Sequence, residues 1–328
     1  MHFAIAGYQI FINIYNSCIN YSRPTISLLY SPNPVPMRSL LFTITIITGF
    51  CLAFAIPIQS AAQELYEFHY STETYFETGD QKLTVSVFKP ILKDSNDRTG
   101  AVLLFSGGGW RWGEPEWTYP AARFFAERGV TAIPVQSRLS GDEITPIEAF
   151  SDVCRSFRWV RKNAKMLGID PDKVAGYGES AGGQLLASTV TVGCPSDDSF
   201  DTRAEPDAVL LWSPAVDLAG SRGFENLLQG RGTAEDYSPF QHLKAGTPPT
   251  NIVHGDSDTS TPLSASEKYC ERMVDLGDTC ELNVYENLGH MLTRNLEIQA
   301  GLGAFDPDPE AVADALTRYL DFLAQIGF

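Results

Sequence analysis

The feature that most constrains the fold is an alternation of short, almost fully apolar segments with longer segments of helical pattern. The apolar segments have the length of single strands and lie at residues 101–105, 131–135, 174–177, 208–212 and 251–253. Strands that are apolar on both sides are typical of parallel strands covered on both faces. Helical patterns occupy residues 118–128, 146–167, 181–192, 263–276 and 309–326. This alternation predicts an α/β fold with a mostly parallel, doubly wound sheet and helices on both faces.

Two further segments extend the predicted sheet at its ends. Residues 82–89 alternate apolar and polar side chains, which predicts a half-exposed antiparallel strand at the start of the sheet. Residues 282–285 are predicted to form the last strand. Residues 213–250 interrupt the alternation, because they are rich in Gly, Ser and Pro and carry only a weak helical pattern. We interpret them as a small insertion, either a loop or a cap beside the functional site.

The segment that begins at Met37 has the layout of a secretory leader. Arg38 supplies a positive charge, an apolar stretch runs over residues 40–58, and the small residues Ser-Ala-Ala at 60–62 match a signal peptidase site. Residues 37–62 are therefore predicted to be a signal peptide, which would direct the protein to the periplasm or out of the cell. The alternative is an uncleaved membrane anchor, because the apolar stretch approaches spanning length.

The parts of the chain on either side of this leader differ in character. Residues 1–36 carry no usable pattern, and the simplest hypothesis is that they are a non-native extension upstream of a true start at Met37. Residues 63–328 contain all of the predicted strands and helices, so we expect them to form one α/β domain.

Charge and composition exclude several classes of partner. The chain has 24 Lys and Arg against 40 Asp and Glu, and its formal charge is −16. This charge repels phosphate backbones and anionic lipid headgroups, so we expect no nucleic-acid partner and, if the leader is cleaved, no stable membrane partner. With 44% hydrophobic and 20% charged residues, the composition is that of a globular enzyme.

The cysteines predict disulfides rather than a metal site. Cys18 and Cys51 lie in or before the leader, and the remaining four are Cys154, Cys194, Cys270 and Cys280. They contain no Cys-x-x-Cys pair with metal-ligand spacing, so we expect no metal and no cofactor. Four cysteines allow three pairings. The preferred pair is Cys270 with Cys280, because a helix that turns at Gly277 brings its last turns back beside the next strand. Four buried free thiols are the alternative.

Residues 178–182 carry the strongest chemical signal in the chain. They read Gly-Glu-Ser-Ala-Gly, directly after a predicted strand and at the start of a predicted helix. This Gly-x-Ser-x-Gly arrangement raises a serine hydroxyl at the end of a strand, above the helix N-terminus, so Ser180 is the candidate nucleophile. Residues 176–181 also fit a dinucleotide-binding fingerprint, but no acidic residue follows the next strand and the strand is not the first of the sheet.

A serine nucleophile needs a histidine base and a carboxylate that orients it. Of the five histidines, His290 alone follows the loop that carries Asp256 and Asp258, and the order nucleophile, acid, histidine suits such a fold. His290 also lies just after the last predicted strand. We select Asp258 as the acid and expect Asp256 to hold the loop through Asx-type hydrogen bonds to the backbone.

The segment after the first apolar strand predicts the remaining parts of a site. Backbone N–H groups of Gly107, Gly108 and Gly109, together with that of Ala181, are predicted to form an oxyanion hole. Trp110 and Trp112 are candidates for binding a sugar or aryl group, with simple packing as the alternative. Arg111 and Arg138 could hold an acidic substrate group, although solvated arginines are the simpler interpretation.

These motifs resemble those of a known enzyme group. The glycine loop at 107–110, the elbow at 178–183 and the His-Gly-x-x-Asp-x-x-x-Pro loop at 254–262 resemble those of the hormone-sensitive-lipase-like and acetyl or feruloyl (BD-FAE-like) esterases. The resemblance covers roughly residues 80–326 and implies an α/β-hydrolase fold and a serine carboxylesterase. It also implies that Glu179 is positional. Ser106 departs from the pattern, because the family has a His before the glycines.

The resemblance implies a two-step acyl transfer that acts on short-chain esters, such as acetyl groups on polysaccharide. The expected substrate is therefore a small-molecule or polysaccharide ester. Two alternatives stay open: a lipase-like or peptidase-like hydrolase of the same fold, and an extracellular binding protein without catalysis.

Overall fold

A computed structural model describes residues 65–328, apart from residues 80, 95–96, 198 and 300–304. The predicted extension at 1–36 and the predicted signal peptide at 37–62 lie outside the described residues. Within the part of the chain that is described, the helices are all too short or too polar to cross a membrane.

The described residues form one eight-stranded sheet in the order β1-β2-β4-β3-β5-β6-β7-β8. The strands are β1 (Phe68–Thr78), β2 (Gln81–Pro90), β3 (Thr99–Phe105), β4 (Thr131–Pro134), β5 (Ile169–Glu179), β6 (Val209–Trp212), β7 (Thr250–Gly255) and β8 (Cys280–Tyr285). β1 pairs with β2, and β2 with β4, in antiparallel fashion, whereas the strands from β4 to β8 pair in parallel. The predicted mostly parallel sheet is confirmed, including the antiparallel strand predicted at 82–89.

Seven helices are described. They are α1 (Tyr119–Ala126), α2 (Pro146–Lys162), α3 (Ala164–Leu167), α4 (Ser180–Ser188), α5 (Arg222–Leu227), α6 (Leu263–Asp275) and α7 (Pro309–Gln325). The helix predicted over 146–167 is two helices, α2 and α3, because the helical conformation is interrupted at Asn163. Helix α3 is followed by Gly168, where φ is +71°. Thr145 and Glu148 form a reciprocal capping box that fixes the start of α2.

Side chains that alternate along the central strands build two apolar layers. In β3, Ala101 and Leu103 face the layer covered by α2, α4 and α6, whereas Val102 and Leu104 face the layer covered by α1 and α7. Residues 101–105 of β3 and 174–177 of β5 are therefore all buried, which explains why these segments are continuous apolar runs. The predicted arrangement of helices on both faces is confirmed.

The insertion predicted at 213–250 forms a small cap with an apolar cluster of its own. It contains α5 and two short 3₁₀ turns, Glu235–Tyr237 and Phe240–His242. Its cluster consists of Leu218, Phe224, Leu228 and Ala234. Trp110 from the glycine loop packs against this cluster, so the cap is joined to the predicted site.

Two disulfides join the four described cysteines. Cys270 in α6 pairs with Cys280 at the start of β8, and Cys154 in α2 pairs with Cys194. The preferred pair is confirmed, and the alternative of four free thiols is wrong. Helix α6 and strand β8 are packed neighbours, so a helix and the strand that follows it bring these two cysteines together.

We predict that the two disulfides contribute unequally to stability. A cross-link that closes a longer loop removes more entropy from the unfolded chain. The 40-residue separation of Cys154 and Cys194 gives about 4 kcal/mol, and the 10-residue separation of Cys270 and Cys280 about 3 kcal/mol. Urea unfolding of the two double Cys→Ser variants should show these losses. A larger loss for the Cys270 pair would contradict this account.

Candidate active site

The nucleophile elbow places Ser180 at the junction of β5 and α4. Its φ is +49°, in the left-handed region that side chains rarely adopt, and this conformation costs roughly 1 kcal/mol or more. The flanking glycines allow the turn. A Cβ at Gly178 would lie 2.7 Å from the carbonyl oxygen of Gly182, and a Cβ at Gly182 would lie 2.4 Å from that of Phe105. Only glycine fits at these two positions without displacing backbone.

Ser180, His290 and Asp258 form one continuous hydrogen-bonded chain. Ser180 Oγ lies 3.0 Å from His290 Nε2, and His290 Nδ1 lies 2.8 Å from Asp258 Oδ2. His290 and Asp258 are each only 6% exposed. The three residues come from β5, the acid loop (residues 256–262) after β7, and the histidine loop (residues 286–290) after β8. Parallel strands that end at one edge of the sheet bring them together.

The Asp258 carboxylate is surrounded by donors. The backbone N–H groups of Ser260 and Thr261 donate to Oδ1, each at 2.8 Å, and the Thr261 hydroxyl donates to Oδ2 at 2.9 Å. His254 Nε2 lies 3.1 Å from Oδ2. Burial by itself would raise the pKa of Asp258, but hydrogen bonds to His254 and His290 lower it well below its usual value. The acid is therefore ionised at neutral pH.

Asp256 lies outside this chain. Its side chain is exposed, and Oδ1 accepts hydrogen bonds from the Asn287 N–H at 2.8 Å and from the Ser257 hydroxyl at 2.9 Å. The expected Asx-type bond to its own loop is thus replaced by a bond across to the histidine loop. Asp256 links the two loops and does not contact His290.

The glycine loop lies directly beside the nucleophile. A Cβ at Gly107 would lie 3.2 Å from Ser180 Cβ, and Gly108 has a φ of +117°. The Gly108 carbonyl accepts the Trp112 N–H at 3.0 Å, which folds the loop back on itself. The loop therefore lies where the predicted oxyanion donors Gly107, Gly108, Gly109 and Ala181 border the nucleophile.

Glu179 is a buried carboxyl group between the elbow and the glycine loop. The Tyr177 hydroxyl donates a hydrogen bond to Glu179 Oε1 at 2.8 Å. Burial raises the pKa of Glu179 to about 7, although the hydrogen bonds from Tyr177 and Gly107 oppose this shift. These contacts agree with the positional role that the family resemblance implied.

The two candidate tryptophans occupy different environments. Trp110 donates its Nε1–H to Gln184 Oε1 at 2.8 Å and packs edge-on against Phe224, with ring centroids 4.8 Å apart. Trp112 is 59% exposed. Both rings line a pocket beside the elbow, together with Gly107, Val135, Ala181 and Leu185. Trp110 is therefore fixed by the cap and α4, while Trp112 has a free face.

A family model for BD-FAE matches residues 87–273, more than half of this 328-residue chain. The chain belongs to the BD-FAE family. Its sheet and its elbow are those of an α/β-hydrolase fold, and solved esterases share this fold with it. Native Thermogutta terrifontis esterase 2 superimposes with a TM-score of 0.70 at 30% identity, over 79% of this chain and 93% of that one.

Curated relatives of this BD-FAE chain are also esterases. It is 36% identical to the arylesterase of Saccharolobus solfataricus over 34% of this chain and 35% of that protein. It is 27% identical to the acetylxylan esterase of Xylanibacter ruminicola over 52% of this chain and 36% of that protein. The chain spans about a third to a half of the length of the curated relatives it matches.

The arginine predictions need correction in this BD-FAE chain. Arg138 is neither solvated nor available for an acidic substrate, because its guanidinium and backbone N–H bind the buried carboxylate of Asp152 at 2.7–2.9 Å. This pairing raises the pKa of Arg138. Arg138 borders the pocket as one member of a closed ion pair. Arg111 is exposed, as expected.

Several residues that shape the BD-FAE site were not assigned a role from the sequence. Gln184 joins Trp110 to the cap, because its Nε2 donates to the Tyr237 carbonyl at 2.8 Å. His254 has its Nε2 near two acceptors, Asp258 and the Thr261 carbonyl, so this nitrogen carries the hydrogen. Gln299 lies between the acid and histidine loops. The conspicuous motif at 254–262 could have pointed to His254, but no local pattern marks either glutamine.

We predict that Asp258→Asn lowers kcat/KM for ester hydrolysis by about 10⁴-fold. An amide NH₂ group in place of Oδ2 would face the N–H groups of His254 Nε2 and His290 Nδ1, which are themselves donors. His290 would then be driven to its other tautomer. The matched control is Asp256→Asn, for which we expect a loss of less than about tenfold, because its bonds only link two loops. Equal losses in the two variants would show that the acid is assigned wrongly.

We predict that Glu179 makes stability depend on pH. In the folded protein its pKa is about 7, above the ordinary value of 4.5. The protonated Glu179 therefore contributes to the free energy of unfolding fully below pH 4.5, and this contribution is lost as the pH rises through 7. Gln does not titrate. The free energy of unfolding of the wild type, relative to Glu179→Gln, should therefore fall by about 2 to 3 kcal/mol between pH 5 and pH 8. Urea titrations at both pH values measure this, and a constant difference would refute it.

Proposed function

We propose that this chain hydrolyses carboxylic esters of short acyl groups through a covalent acyl-enzyme on Ser180. The observation that carries the proposal is the hydrogen-bonded chain from Ser180 through His290 to Asp258. A hydroxyl next to a neutral imidazole, which in turn is held by a carboxylate, is the arrangement that turns serine into a nucleophile.

In the first step, His290 Nε2 takes the proton of Ser180 Oγ as the oxygen attacks the ester carbonyl carbon. The ionised Asp258 accepts the Nδ1–H of His290 and stabilises the imidazolium that forms. The carbonyl oxygen becomes negative and accepts hydrogen bonds from the backbone N–H groups of Ala181 and of the glycine loop, Gly107, Gly108 and Gly109.

The tetrahedral intermediate then collapses. The bond from carbon to the alcohol oxygen breaks, and the departing oxygen receives the proton from His290 Nε2, which leaves an acyl ester on Ser180. In the second half, His290 deprotonates a water molecule that attacks the acyl carbon. The carboxylic acid leaves, and Ser180 regains its proton. The cycle consumes one water and needs no cofactor.

The preference for short acyl groups is supported by similar structures. Thermogutta terrifontis esterase 2, 29–30% identical, has been solved with propionate and with butyrate bound. In this chain the pocket beside Ala181 is lined by Trp110, which is bound to Gln184, and by Arg138, which is paired with Asp152. A long alkyl chain would have to cover these polar groups, which costs free energy.

For the alcohol part of the substrate, we propose a polysaccharide of the acetylated xylan type. The similarity to the Xylanibacter ruminicola acetylxylan esterase supports this proposal. The exposed face of Trp112, next to the pocket, offers a flat apolar surface on which a sugar ring can stack. An arrangement in which the acyl group enters the pocket and the sugar rests on Trp112 fits this geometry.

We also propose that the protein acts outside the cytoplasm, after cleavage of a signal peptide at residues 37–62. The two disulfides support this location, because disulfides form and persist in oxidising compartments.

The test of the function compares wild type, Ser180→Ala and Ser71→Ala on p-nitrophenyl acetate, butyrate and octanoate and on acetylated xylan. We expect turnover that is strongest on acetate and on xylan, and a loss of at least about 10⁴-fold in Ser180→Ala, which lacks the nucleophile. Ser71→Ala is the matched control, because Ser71 is exposed on β1. It should keep full activity.

The other outcomes separate the alternatives. A preference for octanoate would indicate a lipase-like enzyme, and cleavage of peptides would indicate a peptidase. Folded wild type that turns over none of these substrates would favour a binding protein without catalysis.

A further inference from the structure

Gln299 is a buried residue that lies between the two loops carrying the proposed acid and base. It is 5% exposed and belongs to none of the motifs at 107–110, 178–183 or 254–262. Its side chain contacts the backbone of the acid loop and of the histidine loop, and it does not touch the hydroxyl of Ser180 or the pocket beside the elbow.

The carboxamide of Gln299 is hydrogen-bonded at both ends. Oε1 accepts the N–H of Thr259 at 2.9 Å and the N–H of His290 at 3.0 Å. Nε2 donates to the carbonyl of Ser257 at 2.8 Å and to that of Leu296 at 3.3 Å. An amide side chain has two acceptor positions and two donor hydrogens, so all of its capacity is used. No other side chain of this length can reproduce the pattern.

The histidine loop is built to admit this amide. A Cβ at Gly289 would lie 2.6 Å from Gln299 Cδ, so any other residue at position 289 would push the carboxamide away. The backbone of Gln299 adds a further link, because its carbonyl accepts the Ser260 hydroxyl at 2.8 Å. Gln299 therefore bonds to three residues of the acid loop, Ser257, Thr259 and Ser260, and to the backbone N–H of His290.

We infer that Gln299 is a positioning residue that fixes Asp258 relative to His290. The Thr259 N–H belongs to the peptide group that follows Asp258, and the other bonded N–H is that of His290 itself. Gln299 Oε1 thus links the backbone next to Asp258 to the backbone of His290. This sets the 2.8 Å contact between Nδ1 and Oδ2. The inference rests on the proposed function, since it gives Gln299 a part in activating Ser180.

Two substitutions separate positioning from packing. Gln299→Met keeps the length and the apolar contacts but leaves the Thr259 and His290 N–H groups without their acceptor. Gln299→Glu keeps the acceptor, but its second oxygen would face the carbonyls of Ser257 and Leu296 and can bond there only when it is protonated. Gln241→Met is the matched control, because Gln241 is exposed and binds only Asp217.

The main readout is the rate at which a fluorophosphonate probe labels Ser180 in the full-length protein, which requires no substrate. We expect Gln299→Met to be labelled about 10²-fold more slowly than wild type, the effect of a misplaced base. The rate for Gln299→Glu, divided by that of wild type at the same pH, should fall as the pH rises and the new carboxyl ionises.

The second readout is the low-field NMR signal of the proton between His290 Nδ1 and Asp258, assigned by its absence from His290→Ala. We expect the signal to shift or disappear in Gln299→Met and to stay in Gln241→Met, with circular dichroism confirming that both variants are folded.

Unchanged labelling together with an unchanged signal in folded Gln299→Met would overturn the inference. A Gln299→Glu ratio that does not depend on pH would do the same, because packing alone is indifferent to the ionisation of position 299. If wild type is not labelled at all, the proposed function fails, and the NMR signal still decides whether Gln299 positions His290.

Discussion

The buried carboxylate of Asp258 is the interaction on which the architecture of the site depends. A negative charge that is removed from water persists only when donors surround it. Here the donors come from the acid loop backbone, from His254 at the end of β7 and from His290 after β8. They meet because β7 and β8 are parallel neighbours and end at the same edge of the sheet. Ser180 reaches that edge from β5, so the groups that stabilise this charge also align the base with the nucleophile.

The opposite side of the site depends on close approach of backbone rather than on charge. Gly182 lets α4 pass within contact of the carbonyl of Phe105, and this approach brings the glycine loop beside Ser180. The loop is then held through Trp110, which hydrogen-bonds to Gln184 and packs against the cap. The cap thereby acts on the site through Trp110.

Local patterns predicted the parts of this protein that are themselves local. Continuous apolar runs identified the parallel strands, and the spacing of glycines around Ser180 identified the elbow. Contacts between distant segments were predicted less well. Arg138 could not be matched with Asp152 in advance, because their pairing depends on how α2 packs beside the end of β4. The bond from Asp256 to Asn287 likewise joins loops that are separate in sequence. Trp110 gave the same signal as Trp112, yet Trp112 is largely exposed whereas Trp110 is half-buried against the cap.

The sequence by itself determined the fold class, the elbow and the choice of Ser180, Asp258 and His290 as candidates, because each follows from residue type, order and spacing within short segments. The tertiary structure decided that Cys154 of α2 pairs with Cys194, that Arg138 is bound by Asp152, and how the acid and histidine loops are held together. Gln299 illustrates the difference. A single glutamine carries no periodic or motif signal, and its role arises only when four backbone groups from three segments converge on one buried amide. Hydrogen bonds are short and directional, so their partners are set by the final packing and cannot be read from the order of residues.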